Sequence, residues 1–189
     1  ITNYDSNYKT VGDEAMQLFE RFKNRFVIGV SEERVPGAKK MIQDMDLNVL
    51  VLDDAFQHRA IKPGFNVLMT DYNDPYFKDF LLPAGDLRES RNGAKRAQII
   101  MVSKCPEDLT DEKKQYYISR IKPQHYQKVF FSSIGYDENV YSRNKMLPDN
   151  NLDYYDILLI TGIANPKPLV KHLSRFSQKV KHLKFRDHH

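Results

Sequence analysis

The run Val49-Leu50-Val51-Leu52-Asp53-Asp54 places two carboxylates directly behind four apolar residues. A buried strand that ends in an acid delivers that acid to its C-terminal edge, where open α/β sheets bind their ligands. In P-loop enzymes an acid so placed helps hold Mg²⁺ on nucleotide phosphates, and hard oxygen donors suit that ion. Asp53 and Asp54 are therefore candidate metal ligands. The same pattern also arises where a strand merely ends in a turn, and such runs are common. The composition of the adjoining residues shifts the balance. Asp53-Asp54-Ala55-Phe56-Gln57-His58-Arg59 gathers two acids, an amide, an imidazole and a guanidinium in seven residues. Plain turns draw instead on Gly, Asn, Ser and Pro.

Three more places combine chemistry-bearing residues. Gly12-Asp13-Glu14 precedes an amphipathic stretch; an acid there also suits a helix N-terminus, and Thr10 to Asp13 has capping-box spacing. Leu81-Leu82-Pro83-Ala84-Gly85-Asp86-Leu87-Arg88-Glu89 is a charged loop in which Arg88 and Glu89 also read as an exposed ion pair of little energetic weight. Near the end stand Gly162-Ile163-Ala164-Asn165-Pro166 and Phe185-Arg186-Asp187-His188. His188 and His189 are also what the stub of a purification tag looks like. His125, His172 and His182 belong to no such group and read as surface residues.

These residues need a scaffold. Apolar, β-rich runs recur at 26–30, 48–52, 65–70, 98–103, 129–132 and 156–161. Near-continuous runs of this kind suit strands buried on both faces of a parallel sheet. Helical spacing lies between them: Ala15, Leu18, Phe19 and Phe22; then Ala38, Met41, Ile42 and Met45, with Pro36 near the start. A third helix is expected from Asp111 to Ile121, stopped by Pro123, and a fourth from Pro166 through Leu169, Val170, Leu173 and Phe176. Alternating strands and helices predict an α/β fold with a mainly parallel sheet flanked by helices. The segment 73–92, with Pro75, Pro83 and Gly85, reads as a long functional loop. The polar stretch 136–155 reads as a linker, giving a core over 1–135 and a smaller C-terminal α/β unit over 136–189.

Taken in order, these motifs resemble the tetraacyldisaccharide 4'-kinase family of lipid A (lipopolysaccharide) biosynthesis. The family's Asp-Asp-Gly-Phe-Gln-His appears here with Ala55 in place of Gly, and the Leu-Pro-Ala-Gly loop and terminal Asp-His come after it in the family's order. The resemblance implies a P-loop NTPase-like kinase that transfers the γ-phosphate of ATP to the 4'-hydroxyl of a tetraacylated disaccharide 1-phosphate. It implies a place at the cytoplasmic face of the inner membrane of a Gram-negative bacterium, bound peripherally. Carried over residue by residue, it makes Asp13 and His188 an acid–imidazole pair serving the hydroxyl, and Asp53 and Asp54 the Mg²⁺ ligands. Gln57 and His58 would line the same pocket, and Arg88, Glu89 and Arg34 would face phosphates or the anionic substrate. The family's Gly-x-x-x-x-Gly-Lys-Ser/Thr loop does not occur among these residues, so a chain consisting of them alone is expected to be an incomplete, inactive P-loop fold.

Composition bounds the alternatives. With 41% hydrophobic and 29% charged residues the chain can bury a core, which excludes wholesale disorder. The lone cysteine, Cys105, excludes a disulfide framework and fits a reducing compartment. A formal charge of +4 is compatible with a solvated surface, an anionic lipid or a phosphorylated substrate. No zinc-finger spacing, RRM-like aromatic signature or long basic run points to nucleic acid. The competing functional expectation is a non-enzymatic α/β module that binds anionic lipid or a protein partner.

Overall fold

The computed structural model describes residues 7–22, 25–137, 139–141 and 146–186. The chain divides into two compact units, Ile1–Ile134 and Gly135–His189.

In the first unit two helices come early, α1 (Tyr8–Val11) and α2 (Asp13–Phe22), followed by α3 (Arg34–Asp44). Strands β1 (Val67–Asp71), β2 (Ile99–Cys105) and β3 (Lys128–Ser133) form a three-stranded parallel sheet in that spatial order. Val67 faces Ile99 and Asp71 faces Ser103 across the first pair, while Ile99 faces Lys128 across the second. Helix α4 (Asp111–Ile121) connects β2 to β3 as a parallel crossover requires. It lies where its sequence signals put it: Thr110 accepts the Lys113 N–H as N-cap, Lys122 closes the C-terminus at φ 51°, and Pro123 comes next.

The core sits on the sheet. Ile100, Val102 and Cys105 of β2 pack with Ala97, Phe77 and the α4 residues Tyr117 and Ile121, which are one helical turn apart. Tyr117 reaches through this core, donates its hydroxyl proton to the Tyr72 carbonyl, and stacks on Tyr72 with ring centroids 5.0 Å apart. Central β2 is buried on alternate residues, whereas Val67 and Met69 of edge strand β1 stay exposed.

Two expected strands are not formed. Segments 26–30 and 48–52 carry no strand among the described residues, and Val49 and Val51 are 76% and 83% exposed. The physical reason is pairing. An apolar run becomes a strand only when a neighbour takes its N–H and C=O groups, and among the described residues no strand does so.

The second unit contains an antiparallel pair, β4 (Asn139–Tyr141) and β5 (Met146–Pro148), then β6 (Ile157–Thr161), α5 (Lys167–Leu173) and β7 (Val180–Lys184). Strands β6 and β7 pair in parallel, Ile157 against Val180 through Thr161 against Lys184, so this unit is also α/β. Helix α5 begins after Pro166 as expected but ends at Leu173, short of Phe176. His172 and His182 are not plain surface residues: His172 stacks on Tyr136 with centroids 4.1 Å apart, and His182 Nε2 lies 2.9 Å from the Thr161 hydroxyl.

Candidate functional site

Asp13 opens α2 behind Gly12, whose φ of 90° lies in the region that favours glycine. Its Oδ1 accepts the Glu14 N–H at 3.0 Å, and both acids sit in the first turn, where the helix macrodipole stabilises negative charge. Gly12, whose carbonyl accepts the Met16 N–H at 3.3 Å, stands in the cap position, Thr10 bonds back to Asn7 instead of to Asp13, and Asp13 is the first helical residue, with its side chain exposed.

Asp53 and Asp54 occupy a tight turn at the end of 48–52. Asp53 Oδ1 accepts the Asp54 N–H at 3.0 Å, and Asp54 holds φ at 42°, a left-handed conformation that costs an ordinary residue about 1 kcal/mol. Non-glycine residues kept in such conformations cluster at ligand sites. The turn continues through His58 N–H to the Ala55 carbonyl at 2.9 Å, which leaves Asp53, Asp54, Gln57 and His58 all exposed on one short loop. Phe56 anchors it by packing against the core of the sheet. Among the described residues no group of three or more His, Cys, Asp or Glu gathers. Magnesium does not require one, because it keeps several waters and binds through one or two carboxylates plus substrate phosphates. Two exposed carboxylates on one turn, with one oxygen already committed to a backbone N–H, fit that ion.

The pairing expected for Arg88 and Glu89 is corrected. Glu89 binds Arg96 at 2.7 Å, not Arg88, because Arg96 on the 3₁₀ turn Arg91–Arg96 is held from a second side. Its Nη2 also donates to the Phe56 carbonyl at 2.9 Å, and its guanidinium carbon lies 4.6 Å from the Phe56 ring centre. One guanidinium thus ties the Leu-Pro-Ala-Gly loop to the Asp-Asp turn. Arg88 stays exposed and makes no ion pair among the described residues, which leaves its charge available. Arg34 is half-buried and donates to the Ser31 carbonyl at 3.3 Å. His188 lies outside the described residues.

The loop itself is closed by Asp79, whose carboxylate accepts the N–H groups of Phe80 and Asp86. Gly85 is required there, since a Cβ on it would stand 2.5 Å from the Phe80 carbonyl oxygen. Sequence reading missed Arg96 and Asp79, whose loop-closing partners Glu89, Phe56 and Asp86 lie 7 to 40 residues away and leave no local signature. It also missed Asp71, although Val67-Leu68-Met69-Thr70-Asp71 repeats the apolar-run-plus-acid pattern. Burial works against the charged form of Asp71. The hydrogen bond and charge of Lys104, 2.8 Å away, together with the Asn73 and Asp74 backbone N–H groups, outweigh it and hold the carboxyl below its usual range.

The family model for tetraacyldisaccharide-1-P 4'-kinase matches residues 1–189. The chain belongs to that family. A tetraacyldisaccharide 4'-kinase of Flavobacterium johnsoniae is 37% identical over 190 residues, and one of Flavobacterium psychrophilum is 40% identical over 192; each alignment takes in 100% of this chain and 55% of the relative. The Bacteroides thetaiotaomicron relative of the same name is 38% identical over 196 residues, covering 97% of this chain and 51% of its own length. The chain thus spans about half the length of the curated relatives it matches. No solved structure matches it.

Proposed function

We propose that the protein is the acceptor-side and metal-side part of a kinase that moves the γ-phosphoryl group of ATP onto the 4'-hydroxyl of a tetraacyldisaccharide 1-phosphate. The observation that carries this reading is the Arg96 bridge, which holds two of the family's motifs together in a chain that matches the family over its whole length.

The acceptor oxygen attacks the γ-phosphorus, the bond to the β–γ bridging oxygen breaks, and ADP leaves with that oxygen's electron pair. The hydroxyl proton passes to a base. An alcohol is too weak an acid to release it unaided, and a positioned base supplies ~10²–10⁴-fold. The resemblance assigns this place to Asp13, exposed at the start of α2, and gives His188, which lies outside the described residues, as a second group for the same proton. Asp53 and Asp54 would hold magnesium, which neutralises charge on the transferring phosphates. Gln57 and His58 line the same loop, and Arg88 and Arg34 offer guanidinium groups to phosphates. The setting is the cytoplasmic membrane surface where the lipid acceptor resides. No described helix is long and apolar enough to cross a membrane.

The test is phosphate transfer by the full-length protein to the lipid disaccharide, with free sugars and nucleosides as competitors. Asp13→Ala or Asp53→Ala is expected to lower turnover at least a hundredfold with unchanged folding. Near wild-type turnover by either folded variant removes that residue from the mechanism, and phosphorylation of nucleosides instead of the lipid overturns the substrate.

A further inference from the structure

Beside the loop that carries Arg88 and Glu89 lies a cleft of about 460 Å³, between the 3₁₀ turn Arg91–Arg96 and the C-terminal end of α4. Four cationic residues line it, Arg91, Lys95, Arg120 and Lys122, and no Asp or Glu does. Among the described residues no carboxylate makes an ion pair with any of them. For a chain whose formal charge is only +4 this is a strong local concentration. Complementing the α4 macrodipole accounts for Arg120 and Lys122. It does not account for Arg91 and Lys95, which come from a separate segment.

The walls are built. The Gln127 side-chain amide donates to the Ala94 and Ala97 carbonyls at 2.8 and 2.7 Å, and the Tyr126 hydroxyl donates to the Lys95 carbonyl at 2.6 Å. These bonds fix the 3₁₀ turn against the segment after α4.

Arg91, at the cleft, also lies beside an exposed apolar segment. Arg91 donates Nε–H to the Asp79 carbonyl at 2.9 Å and lies 5.3 Å from the centre of the Phe80 ring. Phe80, Leu81 and Leu82 stand in succession and are 63%, 49% and 61% exposed. They are held out by an ordered loop: Leu87 N–H donates to the Phe80 carbonyl at 3.0 Å, and Leu82 N–H to the Leu87 carbonyl at 3.1 Å.

We infer that this cleft and the apolar segment beside Arg91 form a docking surface for an anionic phospholipid bilayer. Headgroup phosphates settle among the four cations while Phe80, Leu81 and Leu82 enter the interfacial layer. A free phosphate needs the cations alone; three adjacent exposed apolar side chains beside them supply the apolar area that a lipid surface takes up. Charge and apolar area acting together are what hold a peripheral protein on a membrane. The inference deepens the membrane setting proposed above and rests on it, but its test contains neither ATP nor acceptor, so failure here is read separately from failure of the kinase reading.

The experiment is co-sedimentation of the 189-residue chain with phosphatidylcholine vesicles, with and without phosphatidylglycerol, at several salt concentrations. The expected result is binding only to vesicles containing phosphatidylglycerol, weakening as salt rises. The triple substitution Lys95→Gln, Arg120→Gln, Lys122→Gln is expected to weaken that binding roughly a hundredfold, at about fivefold per charge. A double Leu81→Ser, Leu82→Ser variant should weaken it without changing its salt dependence. Circular dichroism verifies that each variant is folded, and the salt series on the unaltered chain stands whether or not they are. No vesicle binding, equal binding to neutral vesicles, or undiminished binding by the folded triple variant overturns the proposal. So does saturable binding of inorganic phosphate in the cleft by a chain that ignores vesicles.

Discussion

Arg96 is the residue on which the geometry of the candidate site depends. It is a planar, permanently charged fork, so it can serve the Glu89 carboxylate and the Phe56 carbonyl at once while lying over the Phe56 ring. Lysine at that position has one nitrogen and no plane. With Arg96 36% and Glu89 25% exposed at the side chain, solvent screens the pair, and the coupling between them is expected to be about 0.5–1 kcal/mol. A double-mutant cycle of Arg96→Lys and Glu89→Gln in urea unfolding measures it. Arg96→Lys is also expected to speed amide exchange in both loops, 53–58 and 81–89; faster exchange in only one would mean that the guanidinium does not link them. None of this is legible at the level of residue order. Asp53, Asp54 and Arg88 stand out because their motifs are contiguous, whereas Arg96 is recognisable only once the fold brings it beside Phe56, 40 residues away.

At the scale of elements, β2 and α4 together organise the first unit. Tyr117 is nearly inaccessible at 4% exposure and joins the helix to the sheet edge through its hydroxyl and ring. Burial, with smaller contributions from neighbouring groups, pushes its phenol up to about 12 from an ordinary 10.0. The folded state therefore holds this proton more tightly than the unfolded chain. The resulting stability is complete below pH ~10 and lost as pH rises toward ~12. Tyr117→Phe is expected to cost about 1 kcal/mol at neutral pH, by removal of the bond to the Tyr72 carbonyl, and to flatten the decline in stability above pH ~10. Denaturant melts at several pH values read both effects; an unchanged alkaline decline would exclude Tyr117 as its source. Helix α4 is foreseeable from Thr110 to Pro123 because its cap, its apolar spacing and its stop are all local signals. Strand β7 is not: Val180-Lys181-His182-Leu183-Lys184 is half polar and is fixed by pairing with β6, which no short window contains.

At the scale of the whole molecule, the two segments that read as strands and are not paired lie in the same unit as the candidate metal turn. Val49 and Val51 precede Asp53 and Asp54 closely, and Phe26, Val27 and Val30 are likewise exposed. The sequence pattern predicts strands there that the structure does not form, because a strand is a property of a pair and no pairing partner is found among the described residues. Edge strand β1 is in the same condition on one side, with Val67 and Met69 exposed. The relatives run to nearly twice this chain's length, so a chain of that length has further backbone with which these groups can pair. Hydrogen exchange separates the possibilities. In the 189-residue chain, amides 48–52 are expected to exchange within a few-fold of the unstructured rate, while those of β2 are protected by orders of magnitude. In a protein of the relatives' full length, protection at 48–52 should rise toward that of β2 and carry the Asp53-Asp54 turn with it, since a paired strand fixes the turn that ends it. Exchange at 48–52 that stays fast in the longer protein would mean that the apolar run is no strand in either setting, and the two carboxylates would then lack the rigid support that a phosphoryl-transfer site requires.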